Sequence, residues 1–132
     1  MVRKSIWEDS QREIDQFKWI VSEKAGYDMG ESAIRRWIKD HWNGYLRAHW
    51  LDHLYGKTFW VELDRGDFGL LQHAFQDKPV LLDRIMDRIK AGQENLHLVN
   101  WCIDWNIPAD AAREILAVID INSRRLAHRF EA

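Results

Sequence analysis

From Ile6 to Lys24 the apolar residues Trp7, Ile14, Phe17 and Val21 recur on one helical face, while Glu8, Arg12, Glu13 and Lys18 point largely outward. That three-to-four-residue recurrence predicts an amphipathic helix, and Gly26 ends it. A second helix is expected over Ser32 to Tyr55, with Gly30 before it and Gly56 after it. At 100° per residue its buried sector is set by Ile34, Trp37, Ile38, Trp42, Tyr45 and Ala48. Asn43-Gly44 is its weak point, since a helical glycine costs about 1 kcal/mol relative to alanine. Trp42 and Tyr45 on either side can recover that cost by packing, so a continuous or kinked helix is expected.

The stretch "KTFWVELDRGDFG", from Lys57, reads two ways. Phe59, Val61 and Leu63 alternate like a strand, but no partner strand is evident, and a lone strand cannot satisfy its own backbone. A short helical turn after Thr58 is therefore expected, followed by a short helix N-capped by Asp67 with Leu71 and Phe75 on its apolar face. The conformation of 57–66 stays open at this point. Pro79 then opens a helix running to Ala91 with a stripe of Leu82, Ile85, Met86 and Ile89, and Gly92 ends it. "QENLHLVNWCIDWN" continues with Leu98, Trp101, Cys102 and Trp105 on one face. A last helix from near Pro108 towards Arg129 presents Ala112, Ile115, Ile119, Leu126 and Phe130. Short connections between such helices predict an all-α fold. The expected architecture is a single domain over 1–132, an antiparallel bundle of about five main helices with irregular helical turns at 57–77.

Composition narrows the setting. A chain of 132 residues, 46% hydrophobic and 30% charged, has the profile of a folded domain that can bury a core without staples. Its net charge of −2 comes from well-mixed residues, which argues against nucleic acid or an anionic membrane as the dominant partner. The single cysteine, Cys102, excludes an internal disulfide and a multi-thiolate zinc site, and fits a reducing, cytoplasmic setting. No apolar run is long enough to span a bilayer, and the N-terminal stretch lacks the apolar segment of a signal peptide.

"RRWIKDHWNGYLRAHWLDHLYG", Arg35 to Gly56, holds three of the six histidines. His41, Tyr45, His49 and Asp52 fall within the apolar sector of the second helix. They read as a buried polar ladder, with Asn122 of the last helix as a further partner. The alternative is a metal or haem site. His49 and His53 lie one turn apart with Asp52 beside them, a spacing at which two imidazoles can ligate one ion. Glu94-x-x-His97 has the spacing used in carboxylate-bridged di-metal bundles and could complete the set.

Two further patterns bear on function. Arg36-x4-His41 and Arg47-x5-His53 resemble the Arg-x(4–6)-His motif of the HEPN ribonuclease superfamily, which is all-helical and of similar size. The resemblance covers those two short patterns alone. It implies phosphate contact and acid–base chemistry at these residues, although the family's motif lies late in its domain and here it lies early. "WCIDWNIPADAAREIL" looks like a helix-turn-helix whose second helix starts near Pro108. Asp110 and Glu114 would then face phosphates and repel them, so two helices joined by a tight turn are expected instead.

Eight tryptophans are a heavy load for this length. Trp50 lies away from the buried sector of the second helix, with Leu46 and Leu54 near it, and Trp60 has no assigned partner. If uncovered, Leu46, Trp50, Leu54 and Trp60 would form an interface patch for a protein partner or a second copy of the chain. If the fold buries the second helix on two sides, the patch disappears. No nucleophile–base pair, phosphate-binding glycine loop or dinucleotide fingerprint is present. The expected role is thus a non-enzymatic protein-interaction or adaptor module, a homodimer being one form of it.

Overall fold

The computed structural model describes residues 2–131, with Asn122 and Glu131 described by backbone alone. The protein is an all-α helical domain, with six α-helices among the described residues. These are α1 (Ile6–Ala25), α2 (Gly30–Tyr55), α3 (Leu70–Ala74), α4 (Pro79–Lys90), α5 (Asn95–Asp104) and α6 (Ala109–Ile119). No described helix is long and apolar enough to cross a membrane.

The long helix α2 is the axis of the fold. It runs unbroken through Gly44, whose backbone stays helical and whose missing Cβ faces open space. α1, α3, α4 and the segment after Gly56 all pack against it, so α2 is buried on more than one side. The core therefore takes Trp37, Trp42 and Tyr45 from one sector of α2 and Leu46, Trp50, Leu51 and Leu54 from the others. Two-sided burial removes the patch expected from the helical wheel: Leu46, Trp50, Leu54 and Trp60 are core residues, Trp50 only 3% exposed.

The segment 57–66 contains both of its expected forms. Phe59–Trp60 (β2) pairs in parallel with Arg3–Lys4 (β1), and Val61–Leu63 then makes one 3-10 turn. The partner strand escapes sequence reading because it is two charged residues long. Its pairing is reinforced by Glu62, whose carboxylate accepts the Ile6 N–H at 3.0 Å and the Ser5 hydroxyl. Ser5 in turn accepts the Trp7 N–H as the N-cap of α1. A carboxylate and a hydroxyl thus meet the orphan N–H groups and positive end of α1.

Two expected boundaries move. Asp67 does not cap α3; Gly69 holds that position in the left-handed region, and the Asp67 side chain is drawn elsewhere. α6 stops at Ile119 instead of running to Arg129. Asp120 takes the left-handed conformation (φ 47°), and Ser123 donates to its side chain at 2.6 Å. Asp120, Asn122 and Ser123 within four residues favour such a turn over helix. The tail then crosses the α1–α2 face: Leu126 O accepts the Trp42 indole N–H at 2.7 Å, and His128 meets the Trp7 and Trp42 rings edge-on.

Candidate functional site

The polar residues of α2 divide between two places. The first is an open groove of about 600 Å³ between α1 and α2, lined by Glu13, Phe17, Trp37, His41, Tyr45 and His49 among others. Gly44 also lines it, and a side chain there would project into the space. Tyr45 donates its hydroxyl to Asp9 Oδ2 at 2.7 Å. His49 stacks on the Tyr45 ring with centroids 3.9 Å apart, and the Trp60 ring lies tilted against the imidazole at 4.5 Å. Trp42 stacks on Tyr45 in turn, so an aromatic column Trp7–Trp42–Tyr45–His49–Trp60 runs along the helix.

Hydrogen positions in this column follow from the acceptors. His49 Nδ1 lies 2.8 Å from the Tyr45 carbonyl oxygen, so that nitrogen carries a proton and donates. Nε2 lies 3.4 Å from Asp9 Oδ2, a contact that is attractive when the ring is an imidazolium. Burial, then the hydrogen bond to Asp9 and its charge, push the Tyr45 hydroxyl far above the ordinary phenol range. It is a donor here and neither base nor nucleophile. Glu13 is raised above its ordinary value of 4.5, first by desolvation and then by the Asp9 charge, with His49 and His41 opposing. His41 is solvent-exposed, its ring edge-on to Phe17 at 5.5 Å. The expected polar ladder is thus only partly interior: Tyr45 is buried, His49 partly so, and His41 is not. The Asn122 side chain lies outside the description.

The second place lies one turn further along α2, at His53. His53 is fully buried. Its Nδ1 accepts the Trp60 backbone N–H at 3.1 Å, and its Nε2 faces Asp64 Oδ1 at 3.2 Å and Asp67 Oδ1 at 3.6 Å. The same carboxylates bind their own loop, Asp64 taking the Gly66 N–H and Asp67 the Arg65 N–H. Asp67 Oδ2 accepts from Arg124 at 2.9 Å. Two aspartates, absorbed by turn and helix-cap expectations in the sequence, therefore fold the "DRGD" loop onto a histidine eleven to fourteen residues away. The donor atoms of His53, Asp64 and Asp67 lie within 4.8 Å of one another, a spacing that could suit a cation. The tautomer opposes it. A nitrogen that accepts from Trp60 N–H holds the lone pair, so Nε2 holds the hydrogen and has nothing to offer a metal.

The expected metal set does not converge. His49 faces Asp9, while Asp52 pairs with Lys90 of α4 at 2.7 Å and His53 turns to Asp64 and Asp67. Glu94 pairs with Arg47 at 3.1 Å. His97 Nδ1 accepts the Glu94 backbone N–H, so Glu94-x-x-His97 is a helix-capping box at the start of α5, which uses the same three-residue spacing. The Arg–His pairs also serve packing. Arg36 and His41 both meet the Phe17 ring, and Arg36 pairs with Asp40. Arg47 and His53 belong to separate contacts. α5 and α6 are joined by a four-residue turn, and in the first turns of α6 Arg113 lies 3.8 Å from Asp110. Comparison with protein-family models, curated proteins and solved structures finds no match.

Proposed function

We propose that the chain is a non-enzymatic protein-association module whose contact surface is the C-terminal half of α1, with a second copy as its partner. One observation carries this reading. Trp19 and Tyr27, each 66% exposed, flank a depression of about 630 Å³, rimmed by Asp15, Lys18, Glu23 and Asp28. Ile20, also exposed, faces the neighbouring groove. Aromatic residues at the centre with charges of both signs around them match the anatomy of association hot spots. The other tryptophans of α1 and α2 are taken up by the core or the aromatic column, which leaves Trp19 without an internal role.

The groove chemistry supports the non-enzymatic half of the reading. Its phenol is a locked donor, and its histidines face a carbonyl, a carboxylate or an aromatic edge. Light scattering across a protein-concentration series tests the proposal. The expected result is a mass that climbs towards a dimer, and Trp19→Ala with Tyr27→Ala restoring the monomer while the helical spectrum stays unchanged. A monomer at every concentration, or a dimer indifferent to both substitutions, would remove this surface from consideration. The metal reading draws support only from the His53–Asp64–Asp67 grouping, and the hydrogen on His53 Nε2 counts against it.

A further inference from the structure

A second groove, of about 470 Å³, lies between α4 and the end of α5 and is lined by Arg84, Asp87, Arg88, Ala91, Trp101 and Trp105. It shares no residue with the α1 surface. Arg84, Asp87 and Arg88 sit at i, i+3 and i+4 on α4, so they share one face. Arg88 is held in place: its guanidinium carbon lies 4.1 Å from the Trp101 ring centroid, and Nη1 reaches Gln93 Oε1 at 3.5 Å. Arg84 and Asp87 are exposed, and neither makes an ion pair or side-chain hydrogen bond among the described residues. Trp105, 68% exposed, ends α5 just before Asn106 turns the chain through the left-handed region (φ 53°). A tight turn thus presents a bare indole beside two guanidiniums and one carboxylate.

We propose that this groove binds a small aromatic anion of mononucleotide type. The four functional groups have complementary needs. An indole face takes a flat heteroaromatic ring by stacking. Two guanidiniums, one already fixed by Trp101, take a phosphate through paired N–H donors. The Asp87 carboxylate repels a second anion and accepts from hydroxyl or amino donors, which a nucleoside supplies and a bare phosphate lacks. The volume falls within the range of small-molecule sites, which run to several hundred Å³.

Ligand-observed NMR and calorimetry with adenosine monophosphate, adenosine and inorganic phosphate as probes test the assignment on the full chain. Saturable binding of the monophosphate is expected, at least about tenfold tighter than either adenosine or phosphate, since each supplies only half the recognition. Trp105→Ala should abolish ring saturation transfer; because the indole is exposed, the helical spectrum should not change. Arg84→Gln should weaken the monophosphate to the level of adenosine and leave adenosine itself unaffected. The proposal fails if the monophosphate does not saturate, or binds equally to the Trp105→Ala protein. It also fails if a single-stranded octanucleotide binds where the monophosphate does not, which would make the surface a strand track.

Discussion

His53 brings a fully polar side chain into the interior and satisfies both nitrogens there, one with the Trp60 N–H and one with the aspartates of the "DRGD" loop. His53→Ala should therefore strand a buried backbone donor and loosen two carboxylates, lowering stability by about 3 kcal/mol. Denaturant unfolding measures this, and a loss below about 1 kcal/mol would mean the loop closes without the ring. Added zinc should leave the melting temperature of the parent unchanged. A saturable rise that disappears in Asp64→Asn would reinstate a metal at this point. Glu13 makes a prediction with a definite sign. Its pKa is higher folded than its ordinary 4.5, because desolvation and Asp9 disfavour the charge. The folded state then holds the proton more tightly, so ionising Glu13 costs stability as pH rises from about the ordinary value through the raised one. Glu13→Gln should raise the melting temperature modestly at neutral pH, and the gain should fade in acid below the ordinary value. A gain that is equal at both ends would assign the effect to packing and not to charge.

Helices were legible where one face alone is buried, as in α4, whose Leu82–Ile85–Met86–Ile89 stripe and opening proline leave little choice. α2 defeats the wheel because it is buried on several sides, so its period does not say which residues face water. Trp50 falls outside the buried sector of the wheel for that reason, while Trp60 lies beyond α2 and has no periodicity to place it. β1 and the early end of α6 depend on very short signals: a two-residue pairing, and a left-handed aspartate bonded to Ser123. The site residues suffered from ambiguity of spacing. Glu-x-x-His at i and i+3 serves a capping box as well as a metal, and only the backbone around Glu94 decides which. The continuous α2 carries its own prediction. Gly44 is helical with nothing within 4 Å of a built Cβ, so Gly44→Ala should stabilise by roughly 0.5–1 kcal/mol. Gly56 is the contrast. It ends α2 at φ 95°, and a Cβ there would lie 3.2 Å from the Gly69 backbone. Gly56→Ala should destabilise by about 1–3 kcal/mol. Thermal melts of the two variants moving in the same direction would refute this account of α2.

At the scale of the molecule, the chain after α6 closes the structure. Arg124 donates to the Val118 and Ile119 carbonyls at the end of α6 and to Asp67, and its guanidinium lies 5.6 Å from the Trp50 centroid. Four residues on, His128 is buried between Trp7 and Trp42, while Leu126 satisfies the Trp42 indole. This tail thus ties the His53 knot to the Trp7–Trp42 end of the aromatic column, with no α-helix of its own. Two variants separate these roles. Arg124→Ala removes the cation from a nearly buried ion pair with Asp67, so it should cost about 3 kcal/mol while leaving Trp42 covered. Ending the chain after Ser123 removes that pair and also uncovers Trp7 and Trp42. It should cost more than Arg124→Ala, and tryptophan emission should shift to the red in the native state, which the point variant should not cause. If the truncated protein melts with the point variant and emits like the parent, the tail beyond Arg124 adds nothing to the core. If it is the less stable of the two, the helices alone do not complete the fold, and the nine residues after Ser123 act as the strap that links the His53 knot to the aromatic column.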